Sequence, residues 1–232
     1  MINRLVLLPG MHGTDELFPA FVNAMPGPKH IERLNYSNRP SSTYRQLLGI
    51  IQSSVSASDP YFLLAESFST PVAIQLAATN PNNLKGLILC AGFASSPLTG
   101  PGRIAASLLA PLLFRLPVFE FAVNRFLIGP NPPKSLQASV RAAVSSVEPT
   151  VLTARLRAVL SCDTREALSH VAVPILYIQA TKDKVVAKSC REEIQRIKPD
   201  IRVASINGPH LVLQREPQKS ADAVTRFVEE FK

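Results

Sequence analysis

A chain of 232 residues, 46% hydrophobic and 18% charged, has the composition of a folded α/β domain with room for an insertion, which excludes a disordered chain. The net charge of +8 invites an acidic partner, yet no long basic run and no interleaving of basic and aromatic residues accompanies it, so nucleic acid is not expected. Three cysteines, Cys90, Cys162 and Cys190, lack CxxC or metal-ligand spacing, which argues against a disulfide framework or metal site and fits a reducing, cytoplasmic compartment.

The first apolar run, residues 4–8 of MINRLVLLPG, ends at Pro9-Gly10 without a small-residue cleavage site and reads as a buried strand, not a signal peptide. Further strand candidates are 31–36, 61–65, 85–91, 174–180 and 201–206, mostly continuous apolar runs of the kind buried on both faces of a parallel sheet. Helix candidates alternate with them at 15–25, 43–55, 70–80, 187–197 and 217–231; Pro71 falls in the first turn of the third, where its missing N–H costs nothing. This alternation predicts an α/β fold with a reduced, mostly parallel sheet of about six strands and helices on both faces.

One interval breaks the pattern. Residues 95–169 hold helical stretches and prolines but no convincing strand, which predicts a helical cap or lid inserted into a core made of 1–94 and 170–232. Within it, 104–123 is long enough to span a membrane but carries Pro111, Arg115, Pro117 and Glu120, so broken soluble helices are expected and no transmembrane segment. Neither a G-x-G-x-x-G nor a P-loop occurs, and no cofactor is expected.

Ala65-Glu66-Ser67-Phe68-Ser69 stands where the third strand must turn sharply into a helix, at the carboxyl edge where open α/β sheets bind ligands. Such a turn pushes its central side chain outward and crowds the positions two before and two after, here the small residues Ala65 and Ser69. Taken alone, the pentapeptide fits a nucleophilic serine and a helix N-cap serine equally well. A nucleophile needs a base, and the base an orienting acid. His210 follows the last strand at the same edge; His30 and His170 precede strands, and His12 comes too early in the chain. Asp183 lies just past the fifth strand, again at the correct edge. The order Ser67, Asp183, His210 and three agreeing placements favour a catalytic triad. The oxyanion would meet backbone N–H groups of Phe68, after the nucleophile, and Met11, in the loop after the first strand.

LLPGMHGTDELF together with LLAESFSTPVAIQLA resembles the α/β-hydrolases over the full chain, and in particular a compact bacterial esterase and thioesterase branch. The resemblance implies catalytic roles for Ser67, Asp183 and His210, oxyanion roles for Met11 and Phe68, and a helical cap after the fourth strand. Two residues depart from the pattern: His12 stands where Asp is expected, and Ala65 replaces Gly.

Between residues 98 and 160, the basic residues Arg103, Arg115, Arg125, Lys134, Arg141, Arg155 and Arg157 face only Glu120 and Glu148. Such a rim fits either docking of an anionic partner, such as an acidic acyl carrier protein or coenzyme A, or arginines that simply keep a small cap soluble. The leading expectation is a serine hydrolase of carboxylic esters or thioesters, with a pimeloyl-acyl-carrier-protein methyl ester as one specific substrate. The alternatives are an acyltransferase or lyase using the same triad, and a non-catalytic ligand-binding protein of the same fold.

Overall fold

The computed structural model describes residues 4–26, 30–36, 43–55, 59–114 and 123–231. Strands β1 (Arg4–Leu8), β2 (His30–Arg33), β3 (Tyr61–Glu66), β4 (Leu84–Cys90), β5 (Ile175–Ala180) and β6 (Arg202–Ile206) form one parallel sheet in the order β2-β1-β3-β4-β5-β6. The register pairs Leu8 with Ala65, Glu66 with Cys90, Cys90 with Ile178 and Ala180 with Ile206. The carboxyl ends of these strands therefore share one edge, and the loops bearing Met11, Ser67, Asp183 and His210 all leave from it.

Side-chain alternation sorts the strands onto two faces. Val6, Leu63, Ala65, Leu87 and Leu89 pack against Leu47 and Ile51 of α2 (Tyr44–Val55), Val72 and Ile74 of α3 (Thr70–Ala78) and Ile194 of a helix at Lys188–Ile197. Leu5, Leu7, Leu64, Ile88 and Ile178 pack against Phe21 of α1 (Pro19–Ala24) and Val224, Phe227 and Val228 of a helix at Pro217–Glu230. The inner strands are buried nearly throughout, whereas edge strand β2 is half exposed. Its Glu32 nevertheless meets buried Arg4 at 2.5 Å, and Arg4 also donates to the Ser54 carbonyl.

Two boundaries differ from the sequence expectation. β2 stops at Arg33, because the chain then turns inward to bury Tyr36. α1 begins only at Pro19, because Asp15 is held in a turn by the Phe18 N–H and by Asn35.

Between β4 and β5 the elements among the described residues are all helical: α4 (Gly100–Leu113), a π-helical turn at Val123–Ile128, α5 (Lys134–Ser145), α6 (Pro149–Ser161) and α7 (Arg165–His170). Part of the apolar 104–123 stretch, residues 115–122, lies outside the described residues, as do Arg115 and Glu120. Among the described residues no helix is long and apolar enough to cross a membrane. The foot of this excursion is pinned where Ser95 bridges Asp163 and where Thr164 donates twice to the Ala94 carbonyl. α7 returns to the core, with Leu168 fully buried among the first group of side chains. Among the described residues the remaining helices are α8 (Lys188–Ile197), the short α9 (Val212–Arg215) and α10 (Pro217–Glu230).

Gly92, just past β4, is where the sheet edge meets α3. A Cβ there would come within 2.3 Å of Thr70 Cγ2, while the Gly92 carbonyl accepts from the Tyr177 hydroxyl at 2.8 Å. Gly92→Ala must therefore displace α3's first residue, and we expect it to lower stability by about 1–3 kcal/mol in urea denaturation.

Candidate active site

Ser67 occupies the tip of the strand-to-helix turn with φ at +48°, the left-handed region that non-glycine residues avoid. A 3₁₀ turn, Ser67–Ser69, leads straight into α3. Ala65 and Ser69 are fully buried, as the crowded flanking positions require. Ser69 contributes more than small size: its hydroxyl meets both the Pro9 carbonyl and the Tyr36 hydroxyl, which itself donates to Pro9 at 2.8 Å. Thr70 Oγ1 donates to the Ser67 carbonyl at 2.8 Å and accepts from the Phe93 N–H at 3.1 Å, so the turn is clamped to the loop after β4. The N-cap alternative for Ser67 is set aside, since its side chain turns elsewhere.

Ser67 Oγ lies 2.8 Å from His210 Nε2, and His210 Nδ1 lies 2.7 Å from Asp183 Oδ2. With Nδ1–H donating to the carboxylate, Nε2 is left to accept the serine proton. The other Asp183 oxygen accepts from the Val185 and Val186 N–H groups at 2.7 and 2.9 Å, which fixes the carboxylate's orientation. The His210 and Asp183 side chains are only 3% and 6% exposed, so little water competes for these bonds. The two loops are joined by Lys182 N–H donating to the Gly208 carbonyl. Unforeseen from the sequence, α9 begins two residues after His210, and Leu211 N–H donates to Leu127 in the π-helical turn.

A family model described as serine aminopeptidase, S33, matches residues 41–210. The chain belongs to this family of α/β-hydrolases. No curated protein sequence matches it. Solved structures agree on the fold. An enol-lactonase from Burkholderia xenovorans LB400 is 15% identical with a TM-score of 0.85, covering 99% of this chain and 92% of its own. An esterase from Exiguobacterium antarcticum is 16% identical with a TM-score of 0.83, covering 98% and 92%. A hydrolase from Pseudomonas aeruginosa PA01 is 22% identical with a TM-score of 0.77, covering 97% and 89%.

The hydrolase's other histidines stand apart from Ser67's partner. His30 is exposed on β2, and His170 Nδ1 meets the Glu166 carbonyl on α7. His12 is buried; its Nδ1 accepts from the Thr14 N–H at 3.1 Å. Burial, reinforced by the Arg155 cation, lowers its pKa to about 4, so it stays neutral at physiological pH.

Met11 and Phe68 flank this site, Met11 in the turn after β1 and Phe68 directly after Ser67. Both are gripped by one residue of the basic cap segment, which the sequence offers either for docking or for solubility; its burial corrects both readings for this residue. Arg155 of α6 is fully buried. Its Nη1 donates to the Met11 carbonyl at 2.8 Å and its Nη2 to the Tyr36 carbonyl at 2.9 Å. Its guanidinium lies over the Tyr36 and Phe68 rings, 5.5 and 5.9 Å from their centroids. Gly13, at φ +74°, leaves room for it: a Cβ there would sit 2.7 Å from Nη1. The signal was present in spacing, since Arg155 falls on the buried stripe of Leu152 and Val159. Glu66 is a second residue the sequence reading passed over. It is buried beneath the turn, accepts from Gln214 of α9 at 3.4 Å, and its carboxyl is pushed above the usual range by burial.

The depressed His12 has a consequence for stability. Unfolded, it takes a proton near pH 6.5; folded, it does so only near 4. Between those values the unfolded chain binds the extra proton, so His12's contribution is intact above pH 6.5 and drains away as the pH falls, by about 3 kcal/mol in total. Glu66 works with the opposite sign. Comparison with His12→Asn, which keeps an acceptor for Thr14, isolates the histidine: the variant should lose this acid-side slope in urea denaturation between pH 6.5 and 4.5.

Proposed function

We propose that this hydrolase cleaves carboxylic esters or thioesters through an acyl-enzyme on Ser67. The observation that carries the reading is the unbroken hydrogen-bond chain from Ser67 Oγ through His210 to Asp183, at a turn held in a left-handed conformation. Ser67 attacks the acyl carbonyl while His210 Nε2 takes its proton. Asp183 holds the tautomer and steadies the imidazolium. The Met11 and Phe68 N–H groups receive the charge that develops on the carbonyl oxygen. His210 then protonates the leaving alcohol or thiol, and water, deprotonated by the same imidazole, releases the acid. Arg155 acts through the oxyanion residues: by anchoring the Met11 carbonyl and packing over Phe68 it keeps their loops in place.

The helices between β4 and β5 serve as a cap over this centre. Exposed Arg103, Arg125, Arg141 and Arg157 on it favour an acyl group delivered on an anionic carrier, an acyl carrier protein or coenzyme A, and a pimeloyl-carrier methyl ester belongs to that class. The family's aminopeptidase description suggests an amine-bearing substrate instead. A carboxylate would then be needed near the pocket, and among the described cap residues 98–160 the only acid is Glu148, exposed at the start of α6.

Steady-state kinetics on nitrophenyl esters of graded chain length test the chemistry. Ser67→Ala should fold normally and lose about 10⁵–10⁶-fold in kcat, and Asp183→Asn about 10⁴-fold. More than a tenth of wild-type turnover in Ser67→Ala would exclude it as the nucleophile. Arg155→Met should lower kcat by about 10²-fold and move KM little, because a displaced oxyanion loop is felt in the transition state. A loss confined to KM would assign Arg155 to substrate binding.

A further inference from the structure

A cavity of about 550 Å³ opens beside the Asp183 and His210 loops, on ground that the proposed chemistry does not use. Its walls come from three places. Lys182 and Lys184 flank Asp183; Pro209 precedes His210; Arg125 belongs to the π-helical turn and Arg215 to α9. Four cations thus line one concavity with a single carboxylate, Glu216, and that carboxylate is engaged by Lys219 at 2.8 Å. Among the described residues no acid pairs with Lys182, Lys184, Arg125 or Arg215. Arg215 is the most telling of them. Its Nη2 makes only a long contact, 3.4 Å, to the Pro130 carbonyl, and its Nη1 is buried without any partner.

Unpaired cations in a concave site repel one another and attract a compact polyanion. Two arginine forks and two lysine ammonium groups match the several oxygens of a phosphate better than the two of a carboxylate. The cavity's walls are the loops that carry the acid and base, and the hydrogen bond from Leu211 to Leu127 ties the Arg125 turn to the same place. We infer that this cavity binds a phosphate group borne by the acyl substrate's carrier, holding the substrate by its non-reacting end. The inference deepens the ester and thioester reading and rests on it only in calling the phosphate part of a substrate; anion binding itself does not require turnover.

The test is calorimetric titration of the full chain at low salt with three probes that carry no carboxylic ester or thioester: phosphopantetheine, coenzyme A, and the adenosine bisphosphate portion of coenzyme A. The double variant Arg125→Gln/Lys184→Gln should bind about tenfold more weakly or worse. Lys85→Gln/Arg226→Gln removes the same charge from exposed positions on β4 and α10 and should bind like the unaltered chain. Added salt should weaken the unaltered chain toward the first variant. Binding of phosphopantetheine identifies the phosphate of the pantetheine arm, available from a carrier protein or the coenzyme. Binding of coenzyme A and the bisphosphate alone identifies the free coenzyme as the source. The inference is overturned if no probe binds below about 1 mM, or if both double variants weaken binding equally, which would reduce the effect to bulk charge. Because nitrophenyl ester hydrolysis is measured separately, loss of the phosphate site and loss of the esterase reading are distinguishable.

Discussion

A non-glycine residue at φ +48° costs roughly 1–2 kcal/mol relative to ordinary backbone, so Ser67 holds that conformation only because its surroundings leave it no other. Those surroundings are specific. Ala65 is locked into the ladder between Leu8 and Leu89, Ser69 is tied to Pro9, and Thr70 is bonded to the carbonyl of Ser67 itself. Gly92 is bare so that Thr70 can sit there. The strain lifts the serine hydroxyl off the sheet edge, and only from that point does it meet His210. The site is a property of the packed sheet, with the loop residues as its last few atoms.

Arg155 extends the same logic to the helices between β4 and β5. A buried cation without a carboxylate partner among the described residues is expensive unless carbonyl dipoles and ring faces replace its water. Here the Met11 and Tyr36 carbonyls and the Tyr36 and Phe68 rings do so, and all belong to segments surrounding Ser67. Removing the side chain would strand both carbonyls and open space beside both candidate oxyanion residues. The same cation helps to hold His12 neutral, at a position where the resemblance implies Asp.

The sheet was legible because its inner strands are buried on both faces, so their apolar runs need no partner to be recognised. Ser67, Asp183 and His210 were legible for a related reason: each follows a strand at the carboxyl edge, and parallel connections bring such loops together. What the sequence hid depends on distant contacts. Helical spacing puts Arg155 on the stripe of Leu152 and Val159 and leaves Arg157, two residues on, off it, but that Arg155 bonds to Met11 while Arg157 is exposed appears only once the helix is docked. α9 was hidden because four residues carry no periodicity, and the late start of α1 because Asp15 finds its partner, Asn35, twenty positions away. The cationic cavity was invisible for the same reason, its walls being drawn from three separated segments.

Activation of the Ser67 hydroxyl by His210 is the step on which the proposed chemistry depends. Mass spectrometry after brief exposure to a fluorophosphonate addresses it directly, because the reagent forms a bond only with a hydroxyl whose proton is being withdrawn. If His210 activates Ser67, a single adduct should form on the peptide that contains Ser67 and should disappear in His210→Ala. An intact chain that takes up no label, or an adduct on any other residue, would contradict it.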